Sequence, residues 1–459
     1  MPTRTALTGG LGYLGEVVIT AQDFNWPAGN GTYFGRLLAN NNYLLNRQIK
    51  IFNGFWTYGD TFAFSNFEER RYFIRDIQGP DNKGNVKIIG SDVMSQCREG
   101  SVPAKSDGVL KTSMTDVLTG NKDITDNDGF SASGGYAIVG DEIISYNAIS
   151  GGNTIFINGR GQGGTTAAAH DANTPIRVIY QNSDNVVNVV RDLIENYTDI
   201  DHASYIPDTE WNTERDTYLS GETVEPWIIE PTPVDRVIDD LGKQTYSNIF
   251  WDDAAQEIKF KSIGPTLTGT VAWNDNDNTL DTKVTIKRPQ KNIYSQCWVY
   301  YGLDPRTESG GSAKDYKSIH ILVDSTIETG LGSPNIKKIY AKYLPDNASA
   351  TASKIASRFV SQHTNPIDIT WEVDVKDQQS LNAGDAVDLT CDLCQDTNGD
   401  ASVIKLRVIE KKPGDNNRWR YRAVFSGVET GSKYAVIAPN SVLDYDSAST
   451  ADKNTYGWI

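Results

Sequence analysis

The stretch from residue 140 to residue 176 constrains the fold of this chain more than any other. Isoleucines stand on both sides of a Gly-Gly-Asn turn at 151–153, and those after the turn alternate with other residues, so the pattern predicts a β-hairpin. These isoleucines are Ile143, Ile144, Ile155 and Ile157. The hairpin leads into residues 159–164, Gly-Arg-Gly-Gln-Gly-Gly, whose glycines supply backbone angles that other residues resist.

The glycine-rich segment 159–164 has a second interpretation, a phosphate-binding loop. Such a loop needs Gly, four residues and then Gly-Lys-Ser/Thr between a strand and a helix. No lysine follows the glycines here, and the Ala167–Ala169 run is too short for a helix. A structural turn is therefore favoured. His170 is a lone histidine, for which a hydrogen-bonded structural role is favoured over catalysis.

Composition favours a β-rich protein of several domains. The 459 residues suggest about three domains. Tyr (22) and Trp (10) are abundant, as strands require, and Asn, Asp, Gly and Thr crowd the segments between apolar runs, as turns require. We find no apolar run of membrane-spanning length and no apolar core of a signal peptide near the start, so we expect no membrane insertion and folding in a cytoplasm.

The chain carries a formal net charge of −16, from 43 basic and 59 acidic residues. This excess argues against a sequence-independent grip on DNA, which needs clustered Lys and Arg. It is compatible with a surface that DNA passes without sticking. Simple solubility explains the charge equally well.

Four cysteines occur, and two of them form the pair Cys391-x-x-Cys394, the spacing of half a zinc or iron–sulfur site. The other two, Cys97 and Cys297, are distant in sequence, and no second such pair is present. Reduced, buried cysteines are therefore favoured over a metal centre or a redox motif. We predict no metal and no cofactor.

The first hundred residues are almost wholly β in pattern. Strands bounded by turn residues recur and predict a small antiparallel barrel or sandwich. They start near Leu14, Asn46, Tyr72 and Asn85. Residues 101–182 follow as a Gly-rich β insertion.

The period changes to that of a helix after residue 183. Asp184 is a candidate cap for a helix with an apolar stripe from Val186 to Ile194. A second helix is predicted to begin at Thr232-Pro233 and to end near Gly242, followed by a hairpin at 247–261.

The C-terminal third returns to β. After a strand at 293–303 and a helix at 349–363, whose inner face holds Ile355, Phe359 and Val360, four alternating strands predict a second antiparallel β domain. The segment after 428 lacks periodicity, and is either disordered or an arm ordered by a partner.

The expected fold class is mainly β with an α+β middle: two antiparallel β-barrel, tube-like domains flanking an α+β domain, plus a small Gly-rich β insertion. The expected boundaries are 1–100 for the first tube-like domain, 101–182 for the insertion and 183–290 for the α+β domain. The second tube-like domain covers 291–430 and a C-terminal arm covers 431–459.

A search for catalytic motifs finds no Gly-x-Ser-x-Gly elbow, no His-Glu-x-x-His helix and no cysteine–histidine arrangement. The histidines are dispersed, and His363 stands at a helix end, where a cation suits the dipole. Adjacent carboxylates such as Asp239-Asp240 and Asp252-Asp253 are interpreted as solvated surface pairs. We therefore predict no catalytic residue and no enzyme.

Three tryptophans are candidates for stacking on sugars: Trp211, Trp227 and Trp251. Packing in a core or an interface is the favoured role for them. The residue set therefore leaves a carbohydrate- or receptor-binding protein as the alternative to a structural one, with a cell-wall hydrolase less favoured still.

Four segments resemble known modules of bacteriophage tails. The motif "GDEIISY…GRGQGGTTAAAH…TPI" resembles a β module of tail-tip proteins of long-tailed phages. "NRQIKIFNGF" with "RRYFIRDIQG" and "GNVKIIGSDVM" resembles the first tube domain of baseplate hub proteins, and "PTPVDRVIDDLGKQTYSNIFWDDAAQEIKFKSI" their intermediate domain. "LNAGDAVDLTC…VIKLRVIEKKPGDNNRWRYRAVF" resembles the second tube domain. The likeness covers about residues 14–430.

This resemblance implies a structural role without catalysis, as the tail baseplate hub of a siphovirus-like phage. Hub proteins form a homotrimer whose two tube-like domains per chain match a hexameric tail tube, and DNA passes through the lumen during ejection without specific binding. The implied partners are the distal tail or tail tube protein, the tape measure protein and a tip fibre protein. The implied location is the virion tail tip, after synthesis in the host cytoplasm.

Overall fold

The computed structural model describes the chain from residue 3 to residue 425 with short gaps. The gaps are 6–8, 13–14, 28, 54–58, 60, 254, 265–270, 275–283, 308–309, 365, 375–380, 397 and 415–417. The predicted C-terminal arm, 431–459, lies outside the described residues. No helix in the described part of the chain is long and apolar enough to cross a membrane.

The N-terminal part contains a four-stranded antiparallel sheet of order β3-β6-β5-β4. The strands of this sheet are β3 (Glu16–Gln22), β4 (Gln48–Asn53), β5 (Glu68–Gln78) and β6 (Asn85–Ser91). Two short strands precede it, β1 (Thr3–Arg4) and β2 (Gly10–Leu11), and one helix, α1 (Tyr33–Asn40), lies between β3 and β4 along the chain. The predicted strands are confirmed. Among the described residues β3 and β4 are the two edges of this sheet, and the predicted barrel stays a prediction.

The Gly-rich segment that follows builds a sheet of its own. The segment begins with β7 (Ser101–Val102), which lies outside this sheet. The sheet contains β8 (Gly120–Asp123), β9 (Gly135–Val139), β10 (Glu142–Ser150), β11 (Thr154–Gln162) and β12 (Ile176–Gln181). β10 and β11 pair antiparallel with Ser150 opposite Thr154, which confirms the predicted hairpin. All four hairpin isoleucines are buried. Ile144, Ile155 and Ile157 belong to one apolar cluster of this sheet, and Ile143 belongs to a second, smaller one.

The middle of the chain mixes helices with short strands. Its elements are β13 (Asp184–Asn185), α2 (Val186–Tyr197), α3 (His202–Tyr205), α4 (Asp208–Tyr218), β14 (Thr223–Val224), β15 (Trp227–Ile228), β16 (Thr232–Pro233), α5 (Val234–Thr245), β17 (Ser247–Asp252) and β18 (Glu257–Ser262). β15 extends the Gly-rich sheet beside β12, and β16 pairs with β7. β17 pairs with β18 and, in parallel, with β2.

Two helix limits differ from the prediction. Asn185, not Asp184, caps α2, because its side-chain oxygen accepts a bond from the backbone N–H of Val187 at 3.0 Å. α5 continues past Gly242 to Thr245, and the next residue, Tyr246, adopts a left-handed φ of 57°. Gly242 is needed for a different reason: an added Cβ would lie 2.7 Å from the Cα of Gly10, so only glycine lets these two backbones approach.

The C-terminal part holds two sheets. Its elements are β19 (Val271–Asn274), β20 (Thr285–Lys287), β21 (Gln296–Leu303), β22 (Tyr316–Val323), α6 (Ser325–Leu331), β23 (Ile336–Tyr340), α7 (Ser349–Gln362), β24 (Asp368–Asp374), β25 (Ala386–Gln395), β26 (Ala401–Pro413) and β27 (Arg418–Phe425). One sheet has the order β19-β25-β26-β27-β24-β20, with β1 on β26, and the other β22-β21-β23. The four strands predicted from the alternation, β24 to β27, pair antiparallel as expected. Two further pairs are parallel, β19 with β25 and β23 with β21, which the sequence analysis did not predict.

The buried apolar residues form separate clusters. The largest joins α2, α4, α5 and the β17–β18 hairpin to β21, β23 and α7, whose buried face includes Ile355 and Phe359 as predicted. A second cluster fills the large C-terminal sheet, and a third lies inside the Gly-rich sheet. The chain is thus mainly β with an α+β centre, as predicted, whereas the domain boundaries and the two barrels stay predictions.

Candidate functional site

The Gly-rich motif is organised around one buried carboxylate, Glu142, at the start of β10. It is 1% exposed. Arg160 donates to both of its oxygens at 2.7 Å, and His170 lies 2.8 Å away through Nε2. The backbone N–H groups of Gly161 and Ala168 donate to it at 3.0 and 3.1 Å. The carboxylate thus ties both ends of the glycine-rich turn to the hairpin.

The electrostatics of this cluster favour a charged Glu142. Burial alone would raise the pKa of this carboxyl. The hydrogen bonds from Arg160, His170 and the backbone outweigh burial and lower the pKa to about 2. Arg160 also donates to the carbonyl oxygens of Thr115 and Ala168, so the guanidinium is fully used within the fold.

The turn at 159–164 is therefore structural, as predicted. The N–H of Gly161 points at Glu142, an internal anion, and the following residues form no helix. Gly161, Gly163 and Gly164 have positive φ angles of 58°, 59° and 80°, which explains the choice of glycine at each. His170 has the predicted hydrogen-bonded role.

The other histidines belong to different elements of the fold. His363 follows α7 and is buried against the ring of Phe359, with ring centroids 4.1 Å apart. Burial lowers its pKa, so the expectation of a cation at the helix end is wrong. His320 lies on β22, where partial burial also lowers its pKa, and Nε2 of His202 lies 3.3 Å from Oδ1 of Asp208.

All four cysteines are buried. Cys391 and Cys394 both lie in β25 and face the apolar core of the C-terminal sheet. Residues three apart on a regular strand point to opposite faces, but an irregularity in the pairing between Cys391 and Gln395 turns Cys394 inward. In the part of the chain that the structure describes, no group of three or more His, Cys, Asp or Glu residues is placed to hold a metal ion.

One predicted surface pair is not on the surface. Asp252 and Asp253 are buried where the β17–β18 hairpin meets β5. Nη1 of Arg70 and the hydroxyl of Tyr72 donate to Asp253 at 3.0 and 3.1 Å. The expectation of solvated carboxylates is wrong because these partners come from a strand about 180 residues away. Burial raises the pKa of Tyr72.

Arg70 continues this junction into the C-terminal sheet. Its guanidinium lies 4.9 Å from the ring centroid of Trp419 in β27, and Nζ of Lys411 lies at the same distance from that ring. Trp419 belongs to the core of the C-terminal sheet. The N-terminal sheet, the central hairpin and the C-terminal sheet are therefore held together by one buried polar junction.

The three tryptophans considered for sugar stacking have different surroundings. Trp211 is fully buried, and its indole N–H donates to the carbonyl oxygen of Ile258 at 2.8 Å. Trp251 is also buried. Packing is confirmed for these two. Trp227 is only half-buried and borders a groove.

Some large apolar side chains of the described residues are exposed to solvent in groups. The phenylalanine cluster consists of Phe52, Phe62, Phe64 and Phe67, with neighbouring ring centroids 4.8 to 5.5 Å apart. Phe62 and Phe64 are 56% and 60% exposed. Large exposed apolar patches on soluble proteins mark contacts with partners. Sequence reasoning missed this cluster, because three of its residues follow β4 without periodicity.

The second surface is the apolar row on β22, formed by Ile319, Ile321 and Val323. These side chains are 42% to 48% exposed and alternate with residues that face α7. β22 is an edge of its sheet among the described residues. An apolar edge strand left in solvent is an aggregation hazard, so natural proteins cover such edges. The alternation at 316–323 was the signal in the sequence for this row.

Comparisons with known proteins give the following likenesses. No family model matches the chain, and no curated protein matches it. Among solved structures, the chain is similar to prophage tail protein gp18 from Listeria monocytogenes, with 10% identity, 89% of this chain and 94% of that chain covered, and a TM-score of 0.37. The 43 kDa tail protein of prophage MuSo2 from Shewanella oneidensis matches with 9% identity, 92% of both chains and a TM-score of 0.42. A tail protein from Neisseria meningitidis matches with 10% identity, 92% of this chain, 90% of that chain and a TM-score of 0.39.

These solved structures are tail proteins, the class that the sequence resemblance indicated. At TM-scores below 0.5 and identities of about 10%, such a likeness does not by itself assign a function. The functional assignment therefore depends on the residues of this chain.

Proposed function

We propose that the protein is a structural virion protein, the hub of a phage tail baseplate. In this role three copies form a ring that adapts a hexameric tail tube to a three-fold tail tip and lines the channel for DNA ejection. Its partners would be the distal tail or tail tube protein, the tape measure protein and a tip fibre protein. The proposal assigns no catalytic residue, cofactor or metal to the chain.

The observation that carries the proposal is the order of parts along the chain. An open antiparallel sheet, an α+β centre and a second large sheet follow one another, and the hub-like motifs of the sequence fall on them in the same order. β-sheets with free edges reach their lowest free energy when neighbouring copies or partners cover those edges. Two such sheets per chain would give six in a trimer.

The buried junction of Arg70, Asp253 and Trp419 supports the same role. A ring adaptor must hold its two sheets at a fixed angle, because a change of a few degrees would prevent the ring from closing. A charge pair that is buried and hydrogen-bonded on both sides specifies one arrangement, since any other leaves a buried charge without a partner. The exposed phenylalanine cluster and the apolar row then offer surfaces for neighbouring subunits.

The excess of acidic residues also agrees with a channel for DNA. Acidic walls repel phosphates and limit sticking, whereas binding to DNA would need basic patches. Synthesis in the host cytoplasm and incorporation at the virion tail tip follow from the proposal.

Electron microscopy of the purified protein, classified without imposed symmetry, tests the proposal. Three-fold rings with a central channel, formed by the protein alone or on purified tail tubes, are the expected result. Monomers under both conditions would overturn it.

Matched variants test the assembly surfaces. We expect Phe62→Glu with Phe64→Glu, and separately Ile321→Glu with Val323→Glu, to shift the protein from rings to monomers in mass photometry. Val117→Glu is the control, because Val117 is 80% exposed in the Gly-rich segment and the change in charge per residue is the same. Rings that survive both double variants would show that neither surface joins the subunits.

A further inference from the structure

A groove lined by both polar and apolar residues runs between three parts of the chain and has a volume of about 700 Å³. One wall comes from the Gly-rich sheet, with Gly140, Asp141 and Gly163. The floor comes from residues 225–232, and the opposite wall from residues 302–307 and 342–346. Small-molecule sites have volumes of about 300–1,000 Å³, so the groove has room for a ligand of several rings.

Trp227 is the aromatic residue of the floor, and its orientation is fixed. Its indole N–H donates to Oε1 of Glu225 at 3.0 Å, and Tyr136 packs edge-on with ring centroids 4.9 Å apart. Gly163 lies against the ring edge, since an added Cβ would stand 3.4 Å from Cζ3. The ring is half-buried and borders the groove, so it offers a rigid apolar surface among polar groups.

Three of the cations that line the groove beside Trp227 are paired with carboxylates. Arg177 meets Glu230 at 2.6 Å, Arg306 meets Asp304 at 2.9 Å, and Lys342 meets Asp240 at 2.5 Å. These cations are already neutralised, so an anionic ligand would gain little from them. Their remaining N–H groups and the carboxylate oxygens can still bond to hydroxyl groups, which both donate and accept.

Charges of both signs line the groove on both sides. Asp141 on the Gly-rich sheet interacts electrostatically with Arg306 on the other wall. A ligand between them would meet carboxylate acceptors and cationic donors. Such a pattern suits a chain of hydroxyl-bearing rings and gives no advantage to a ligand of one charge.

We propose that this groove binds a neutral oligosaccharide. One sugar ring stacks through its C–H face on Trp227, and hydroxyl groups of that ring and its neighbours bond to Asp141, Arg177 and Arg306. The groove lies within a single chain, so the site is complete without the proposed ring and does not depend on it.

Glycan binding by the purified full-length chain tests the site. The probes are immobilised neutral oligosaccharides (gluco-, manno-, galacto- and N-acetylglucosamine types), with heparin-derived anionic oligosaccharides beside them. We expect at least one neutral type to bind, with its affinity confirmed by titration in solution. Failure of all neutral probes at about 1 mM, or binding of the anionic ones alone, would overturn the proposal.

Variants then locate the binding. We expect Trp227→Ala and Arg306→Ala each to weaken it by about tenfold or more. Trp26→Ala is the matched control, because Trp26 is also half-buried but lies in the N-terminal part. Arg306 is exposed, so its variant tests the site even where Trp227→Ala unfolds the sheet. Unchanged affinity in Arg306→Ala, or equal loss in Trp26→Ala, would place binding elsewhere.

Discussion

Replacing Glu142 by Gln should weaken the Gly-rich sheet by an amount that its surroundings allow to be calculated. The pKa of this carboxyl falls from 4.5 to about 2 in the folded chain. A tenfold change in acidity is worth about 1.4 kcal/mol, so the ionised form contributes about 3 kcal/mol at neutral pH. Glutamine keeps the shape but faces Arg160 with a neutral group, which leaves the guanidinium without its charge partner.

Hydrogen–deuterium exchange of peptides from β10 and β11 measures this loss locally. We expect exchange about 100-fold faster in Glu142→Gln than in the parent chain at pH 7. Asp123→Asn is the control, because Asp123 is an exposed carboxylate on β8 of the same sheet that accepts a bond from Thr154 at 2.6 Å. Its effect should stay within about 0.5 kcal/mol.

The pH dependence gives a second measure of the same cluster. A carboxyl whose pKa is lowered in the folded state stabilises the fold above its unfolded pKa, and loses that effect as the pH falls through the folded value. The parent sheet should therefore lose protection between about pH 5 and pH 2, and Glu142→Gln should lack this component. Equal exchange rates in the parent and the variant at pH 7 would refute the argument that the carboxylate charge holds the turn.

Three further changes test packing in other parts of the chain. Gly242→Ala should lower the free energy of unfolding, measured in urea, by at least about 2 kcal/mol, because the added Cβ would strike the backbone of Gly10. Gly330→Ala is the control: open space surrounds Gly330, so this variant should have unchanged stability or gain up to about 1 kcal/mol. Equal effects of the two variants would contradict the argument. Burial lowers the pKa of His363 in the folded chain, so the unfolded chain binds a proton more readily and the free energy of unfolding should fall from pH 7.5 to pH 5.5. His363→Gln should make this fall smaller. An unchanged fall in the variant would exclude His363 as its source. Trp211→Phe should lower the free energy of unfolding by about 2 kcal/mol, because it opens a cavity and removes the hydrogen-bond donor of the Ile258 carbonyl oxygen. A loss below about 0.5 kcal/mol, the level typical of a surface substitution, would show that the core repacks around the smaller ring.

Patterns confined to a few residues predicted the fold well. The hairpin around 151–153 depends on turn glycines and alternating isoleucines, and both are local properties. The inner face of α7, with Ile355 and Phe359, follows from the helical period in the same way. In each case the sequence contains the whole cause of the structure within about fifteen residues.

Predictions failed where the cause is distant in sequence. Asp252 and Asp253 resemble any surface pair until β5 brings Arg70 and Tyr72 against them. Gly242 resembles a helix stop, and its true reason, the close approach of Gly10, lies more than 200 residues away. No local pattern contains such contacts.

Oligomerisation and ligand binding should be separable, because the surfaces proposed for them differ in chemistry. The phenylalanine cluster and the apolar row are apolar and exposed, whereas the groove beside Trp227 combines apolar residues with several ion pairs. Ile321→Glu with Val323→Glu should therefore break rings and keep oligosaccharide binding, and Trp227→Ala should do the reverse. Measuring mass and glycan affinity on both variants makes each the control of the other. Loss of both properties in both variants would mean that the groove forms only in the ring, against the argument that one chain completes it.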